Sequence, residues 1–372
     1  MGISRRVLLR RIGAAAAGAA ALPSLAGASP SVARDGPIRL DRNENAYGPS
    51  PKAVAAMQEA ARDMANRHPE AAADALREAI ARAHRVSPDQ IVLGCGSSEI
   101  LRMAAEAFLG TGRTLVAARP SFELMSECAR RAGGEAVSVA LTRAYAHDLA
   151  AMLARCDAST GLVYICNPNN PTGTLTNRQD LERFIRDLPA STFVLVDEAY
   201  HHYVGESADY ASFVDRPLKD GRVVVARSFS TIFGMAGLRV GYAVASPETA
   251  PLLAARRLVE NVNVVAANAA AAALGDAEHL RLSVVRNGDD RQEFINQCHA
   301  RMLKPVDSAA NFLMMDAGAP AVRVIEHFRK NDVLIAPIPG FDTSIRVSLG
   351  TPPEMAAFWR AWDLLPARQM RM

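Results

Sequence analysis

Aromatic residues are scarce in this chain of 372 residues. Phe, Tyr and Trp make up 6% of it, whereas 49% of the residues are hydrophobic and many of these are alanine. Such a composition argues against an all-β fold and favours helices packed closely on a sheet. The length is sufficient for one large core and a smaller second lobe.

Cysteine pairs at metal-ligand spacing are also missing. The five cysteines are an odd number and include no C-x-x-C pair, which argues against the common structural zinc sites. We predict that all five are buried free thiols: Cys95, Cys128, Cys156, Cys166 and Cys298.

A surplus of basic residues is confined to the N-terminus. The chain has 42 basic and 39 acidic residues, and four arginines but no acidic residue fall in residues 1–28, so the remainder carries 38 basic and 39 acidic residues. No basic cluster is left in that remainder. We therefore expect no nucleic-acid partner.

Residues 1–28 are organised like an export signal. A basic start is followed by a small-residue apolar run over residues 12–25 and by AGA at residues 26–28, an A-x-A cleavage site. The pair Arg5 and Arg6 resembles the signal read by the twin-arginine translocase, so we predict an exported, periplasmic protein. An ordinary secretory signal or a membrane anchor is the alternative, although the run is short for a spanning helix.

Helical stretches and short β-branched runs alternate from about residue 51, as in AVAAMQEAARDMANR, IVLGCGSS, GLVYICNPNN and FVLVDEAY. This alternation predicts an α/β fold with a mostly parallel sheet wrapped by helices. After Arg257 a long helical region leads to a second lobe, in which SAANFLMMDA, EHFRKNDVLIAPIP and TSIRVSLG are predicted as strand, helix and strand. We predict an N-terminal arm over 29–50, a large domain over 51–260 and a small α+β domain over 261–372.

Two strand ends carry residues suited to ligand binding. GCGSSE follows an apolar strand and opens a helix, so the N–H groups of Gly96, Ser97 and Ser98 can hold a phosphate at the helix N-terminus. An ordinary strand-to-helix turn is the alternative. The apolar strand FVLV places Asp197 at its carboxyl end, where ligands bind in open α/β sheets, although an aspartate there can also cap the next helix.

Eight motifs stand in one order along residues 38–362. They are LDRNENAYGPSP (40–51), NRHPE (66–70), LGCGSSE (93–99), ARPSFELM (118–125), NPNNPTG (167–173), VDEAY (196–200), FSTIFGMAGLRVGY (229–242) and IRVSLGT (345–351). Together they resemble the pyridoxal-phosphate aminotransferases of fold type I, class I/II, most closely the histidinol-phosphate aminotransferase branch. The resemblance implies a homodimer that binds pyridoxal 5′-phosphate and acts on an amino acid or an amino phosphate.

The resemblance also implies roles for individual residues. Asp197 would keep the cofactor's pyridinium nitrogen protonated, and Tyr200 and Asn170 would hydrogen-bond its phenolic oxygen. Phe122 would stack on the ring, unless it is a plain core residue. Arg346 would clamp the substrate's α-carboxylate, with a surface salt bridge as the alternative. The phosphate would be held by Gly96, Ser97, Ser98, Ser228, Ser230 and Arg239.

Thr231 is the main departure from the family pattern. The family has at this position the lysine that binds the cofactor covalently and then moves the substrate's proton, and a threonine hydroxyl does neither. The only lysines are Lys52, Lys219, Lys304 and Lys330, and none lies in a matching motif.

Two histidines follow Tyr200 directly and could in principle move a proton. We expect instead that side chains alternate here, so that one of His201 and His202 is half-buried, the other is exposed and neither is catalytic.

His68 is a second departure, because the family usually has there a tyrosine that reaches the phosphate of the neighbouring subunit's cofactor. An imidazole can still donate a hydrogen bond to phosphate. The shared dimer site therefore remains an expectation.

Three interpretations of Thr231 stay open. The chain is a slow transaminase that holds pyridoxal phosphate, or pyridoxamine phosphate, without a covalent bond. Alternatively, it is a non-catalytic protein whose pocket binds a phosphorylated vitamer or an amino-acid conjugate. Finally, one base change separates lysine and threonine codons, so Thr231 could be an altered residue in a working enzyme.

An exported location argues against a step of cytoplasmic histidine synthesis.

Overall fold

The computed structural model describes residues 36–205 and 207–366. The predicted signal over 1–28 lies outside the described residues. Within them, no helix is both long and apolar enough to cross a membrane.

Strands and helices alternate through the first two thirds of the chain. The strands are β1 (Ile38–Leu40), β2 (Ile91–Cys95), β3 (Thr114–Arg119), β4 (Glu135–Ala140), β5 (Thr160–Cys166), β6 (Phe193–Asp197), β7 (Val223–Ser228), β8 (Val240–Val244), β9 (Phe312–Asp316), β10 (Val333–Ile338) and β11 (Phe341–Ser348). The helices are α1 (Pro51–Asp63), α2 (Glu70–His84), α3 (Ser97–Phe108), α4 (Leu124–Arg131), α5 (Leu149–Leu153), α6 (Arg178–Asp187), α7 (Ala250–Ala254), α8 (Val264–Leu274), α9 (Ala277–Ala300), α10 (Ala321–Lys330) and α11 (Pro352–Asp363).

The larger sheet has seven strands in the order β2-β8-β7-β6-β5-β3-β4. Its neighbouring strands are parallel except around β8, which runs antiparallel to both β2 and β7. The central strands β5 and β7 are buried along their whole length, which explains their continuous apolar sequence, because helices cover both faces of the sheet. The predicted α/β fold with a mostly parallel sheet is confirmed.

The smaller sheet has four strands in the order β1-β10-β11-β9. Strand β1 comes from the N-terminal arm and pairs in parallel with β10. The prediction for EHFRKNDVLIAPIP was wrong in its second half, because helix α10 ends at Lys330 and VLIAPI forms β10. The alternation of buried Val333 and Ile335 with less buried Leu334 is the strand signal in that segment.

Helix α8 packs against α1 and α2 beside the larger sheet, and its alanines belong to the core on that side. The predicted boundary between residues 260 and 261 would place this helix in the small domain. Small alanine side chains on α8 allow the three helices to approach closely.

The cysteines are free thiols, but not all are buried. Cys128, Cys166 and Cys298 are buried, whereas Cys156 is half-buried and Cys95 is exposed. The prediction was wrong for Cys95 because this residue ends β2, at the edge where the sheet opens to solvent.

Candidate active site

The carboxyl ends of the parallel strands and the start of β8 meet at one edge of the larger sheet. In the strand register, Cys166 of β5 lies beside Asp197 of β6, and Ser228 of β7 lies beside Gly241 of β8. Residue Cys95, at the end of β2, pairs with Val240 on the other side of β8. Residues predicted from separate motifs are thus gathered along this edge.

The start of helix α3 forms an anion cradle with Arg239. Gly96 adopts a left-handed φ of 74° as the residue before the helix, and the first helical N–H groups, on Ser97 and Ser98, have no intrahelical partner. A side chain on Gly96 would collide with the Arg239 guanidinium, which therefore lies directly on the glycine. The same guanidinium donates to Ser230 Oγ at 3.2 Å.

Two hydroxyl groups complete the cradle. Ser228 is buried, and its Oγ accepts the N–H of Ser230 at 3.0 Å, so these two residues turn towards the same side of the strand end. Backbone N–H groups, hydroxyls and one guanidinium are the donors that a phosphate dianion requires. The donor set fits the phosphate of the predicted cofactor.

Gly241→Ala is expected to weaken cofactor binding at least tenfold and to destabilise the protein by about 1–3 kcal/mol. A Cβ at this position would collide with the backbone of Gly96 and Ser97, so the cradle would have to shift. The matched control is Gly237→Ala, because the space around Gly237 is open. Titration with pyridoxal phosphate and thermal unfolding check both variants, and equal behaviour of the two alanines would contradict the cradle.

Asp197 ends β6 as a buried carboxyl group. It accepts hydrogen bonds from the Tyr164 hydroxyl at 2.9 Å and from the Ala199 N–H at 3.1 Å. Burial raises the pKa of the carboxyl from 3.8 to about 6, and the two hydrogen bonds oppose that rise. A cationic pyridinium nitrogen beside Asp197 would restore the charged form. Tyr164 was not predicted from the sequence, because in LVYIC it looks like any buried strand residue.

Asp197→Asn is expected to stabilise the cofactor-free protein at neutral pH while weakening cofactor binding at least tenfold. Because the folded-state pKa of about 6 lies above 3.8, the unfolded chain releases its proton first. Stability of the unsubstituted protein should therefore fall by up to roughly 3 kcal/mol as the pH rises through that window. Asparagine does not ionise, so the free energy of unfolding of the variant should not show this fall with pH. Thermal unfolding of both proteins at about pH 4 and about pH 8 checks this. An equal change in stability between the two pH values in both proteins would contradict it.

Tyr200, Asn170 and Arg346 form a chain of hydrogen bonds between the two sheets. The Asn170 amide donates to the Tyr200 hydroxyl oxygen at 3.2 Å and accepts from Arg346 Nη1 at 2.6 Å. Arg346 Nη2 donates to the Asp41 carbonyl at 2.6 Å, whereas its Nε is buried and has no partner among the described residues. An arginine with an unused donor at the site fits a carboxylate ligand.

Thr231 lies after β7, buried at the same edge. Its hydroxyl donates to the Ala199 carbonyl at 2.7 Å, so its proton is already committed. The four lysines are all exposed on the surface, and two of them form ion pairs there, Lys52 with Asp276 and Lys330 with Glu326.

His201 and His202 do not follow the predicted alternation. Both are half-buried, because residues 201–203 form a 3₁₀ turn instead of an extended strand. His201 bonds the Tyr210 hydroxyl at 2.9 Å, and His202 packs edge-on against Phe233. Burial lowers the pKa of both imidazoles, so they are weak bases.

Phe122 and His68 lie in different surroundings. Phe122 is half-buried and packs on the hydrophobic cluster of α3 and α4. His68 is exposed, with Nδ1 at 3.0 Å from Glu260 Oε2. The hydrogen bond to Glu260 raises the pKa of this imidazole. Within its own chain His68 is thus held by Glu260, and neither Arg239 nor Ser230 is among its partners.

The two sheets and this edge of donors define a class of enzyme, the pyridoxal-phosphate aminotransferases of fold type I. The chain belongs to the aminotransferases of class I and II, whose family model matches residues 35–361. The family depends on pyridoxal 5′-phosphate, and the donors of the cradle and the Asp197 carboxyl group fit this cofactor.

Two relatives and one solved structure show which members of the family this chain is similar to. The chain is 39% identical over 328 residues to histidinol-phosphate aminotransferase from Moorella thermoacetica, covering 87% of this chain and 84% of that protein. It is also 39% identical over 323 residues to histidinol-phosphate aminotransferase 2 from Carboxydothermus hydrogenoformans, covering 86% and 88%. The fold matches that of the Sinorhizobium meliloti histidinol-phosphate aminotransferase in complex with pyridoxal-5′-phosphate, with a TM-score of 0.82, 24% identity and coverage of 98% and 94%.

Proposed function

We propose that this protein binds pyridoxal 5′-phosphate without a covalent bond and transfers the amino group of an amino acid or amino phosphate slowly. One observation carries the proposal. Thr231, with its hydroxyl bonded to Ala199, stands beside side chains suited to bind the cofactor phosphate and a substrate carboxylate, namely Ser230, Arg239 and Arg346.

The side chains of the site bind and orient two ligands. The cofactor, when bound, supplies an electron sink for carbanion chemistry. Asp197 would hold a proton on the ring nitrogen, and the cradle of Ser97, Ser230 and Arg239 would bind the phosphate end. Arg346, held by Asn170, would bind the substrate carboxylate and so orient the substrate in the site.

A base for the substrate's α-proton is missing from the described residues that face this edge. Thr231 is neutral and already donates to Ala199, and His201 has its partners Tyr210 and Asp215. Loss of a positioned general base costs about 10²–10⁴-fold in rate. Turnover should therefore be slow, and pyridoxamine phosphate, which needs no lysine, is a suitable resident form.

A non-catalytic binding protein is the second candidate. The same missing base favours it, because the pocket keeps residues that bind the cofactor and lacks the lysine that reacts. The two candidates differ in whether a bound amino donor ever converts the cofactor to pyridoxamine phosphate.

The test starts with a titration of the purified protein with pyridoxal phosphate. One sample of the complex is then treated with borohydride for intact-mass measurement, and a separate, unreduced sample is mixed with a panel of amino acids and histidinol phosphate. Saturable binding with no mass increase after borohydride supports the non-covalent site. Slow formation of pyridoxamine phosphate supports the enzyme, and binding without any conversion supports the binding protein. A failure to bind pyridoxal phosphate would overturn both.

We also propose export through the twin-arginine route and a homodimeric assembly. The signal pattern over residues 1–28 supports the first. The exposed apolar side chains of Leu258 and Val259 support the second. Arg5→Lys together with Arg6→Lys should retain the protein in the cytoplasm, which tests the export route. Sedimentation should give twice the chain mass, which tests the homodimer.

A further inference from the structure

Asn43 is a buried residue of the N-terminal arm in which each polar group has a partner. Its N–H donates to Ser348 Oγ at 2.8 Å, and its carbonyl accepts from Asn311 Nδ2 at 3.0 Å. Its side-chain Nδ2 donates to the Tyr200 hydroxyl oxygen at 2.9 Å, and its Oδ1 accepts from Ser348 Oγ at 3.2 Å. The arm is thereby joined to both sheets at one residue.

The partners decide which end of each amide faces Tyr200. The Ser348 hydroxyl receives the Asn43 N–H, so its own proton goes to Asn43 Oδ1 and leaves Nδ2 for Tyr200. Arg346 has only donors, so it bonds Asn170 Oδ1 and leaves that Nδ2 for Tyr200 as well. The Tyr200 oxygen therefore receives two N–H groups.

A phenol that accepts two hydrogen bonds has used both lone pairs and keeps one proton to give. In the described parts of the chain, the Tyr200 proton has no acceptor. Burial raises the pKa of this phenol, whereas Arg346 and the Asn43 amide act in the opposite direction and make it a stronger donor.

We propose that Asn43 is a positioning residue, which holds the Tyr200 hydroxyl in the donor role so that its proton meets the phenolic oxygen of the bound cofactor. This inference rests on the proposed cofactor binding. Asn43 and Tyr200 are 157 residues apart, and the motif that contains Asn43 does not imply their contact.

The backbone conformation at Asn43 allows substitution by aspartate or glycine without added backbone strain. Its φ of 56° is left-handed, a conformation that asparagine, aspartate and glycine tolerate. Asn43→Asp keeps the shape but replaces the donor by an acceptor, which would draw the Tyr200 proton away from the cofactor. Asn43→Gly removes the amide without backbone strain and is the second variant should the carboxylate prevent folding.

The experiment compares dissociation constants for pyridoxal phosphate and for the analogue that lacks the 3-hydroxyl group. We expect Asn43→Asp to weaken pyridoxal phosphate at least tenfold and Asn43→Gly to weaken it about threefold to tenfold. Both variants should bind the analogue within about twofold of the unsubstituted protein, because the analogue has no oxygen for Tyr200 to reach. In a Tyr200→Phe background, Asn43→Gly should cause no further loss.

Equal losses for both ligands would overturn the inference and assign Asn43 a purely structural role. Unchanged affinity for pyridoxal phosphate in both variants would also overturn it. These outcomes leave the proposed function intact, because the unsubstituted protein still binds. If the unsubstituted protein binds neither ligand, the proposed function fails and the inference fails with it.

Discussion

Thr231→Lys is expected to bind pyridoxal phosphate covalently and to raise the rate of amino transfer by about 10²–10⁴-fold. The substitution restores the amine that forms the bond and the base that moves the proton. The remaining donors are in place, since Arg239, Ser230, Asp197 and Arg346 are already gathered at this edge. The gain should therefore need no further substitution.

Intact mass after borohydride measures the covalent bond, and pyridoxamine phosphate formed per unit time measures the rate. Thr231→Met is the matched control, because it has similar length without an amine and should gain neither property. A lysine variant that binds the cofactor covalently but transfers no amino group would show that the substrate side of the site is also impaired. A variant that forms no covalent bond would contradict the position assigned to the cofactor.

Glu198→Ala is expected to lower the free energy of unfolding by about 3–5 kcal/mol. Glu198 and Arg227 are each 1% exposed and form an ion pair at 2.8 Å. The carboxylate also accepts from Ser212 Oγ at 2.7 Å and from the Phe213 N–H at 2.8 Å. Alanine would leave the Arg227 charge buried without its partner, which costs more than the bond itself contributes.

Urea unfolding compares this variant with Glu278→Ala. The Glu278–Arg281 pair has the same 2.8 Å separation, but both side chains are more than half exposed. We expect a much smaller loss there than at Glu198, because water screens the exposed pair. Similar losses at the two sites would contradict the role of burial.

Local sequence predicted the residues whose position depends on a single element. Gly96 and Ser97 were predicted from a strand-to-helix junction, and Asp197 from the end of an apolar strand; the structure places them there. These residues lie at one edge of the sheet because parallel strands share their carboxyl ends.

Contacts between distant segments could not be predicted in this way. The bond from Asn43 to Tyr200 spans 157 residues, and the bond from Tyr164 to Asp197 spans 33. Both depend on which strands become neighbours. For His201 we predicted side chains that alternate in burial, as along a strand. Residues 201–203 instead form a 3₁₀ turn, which leaves His201 half-buried and has no two-residue periodicity.

The anion cradle has a consequence for synthesis of the chain. Among the strands that the structure describes, β2 pairs only with β8, which lies between it and β7. A growing polypeptide that ends before Val240 therefore has α3 but neither Arg239 held in place by β8 nor a sheet neighbour for β2. We therefore expect cofactor loading only after the ribosome has passed this point, and abortive translation products that stop earlier should not sequester the vitamer.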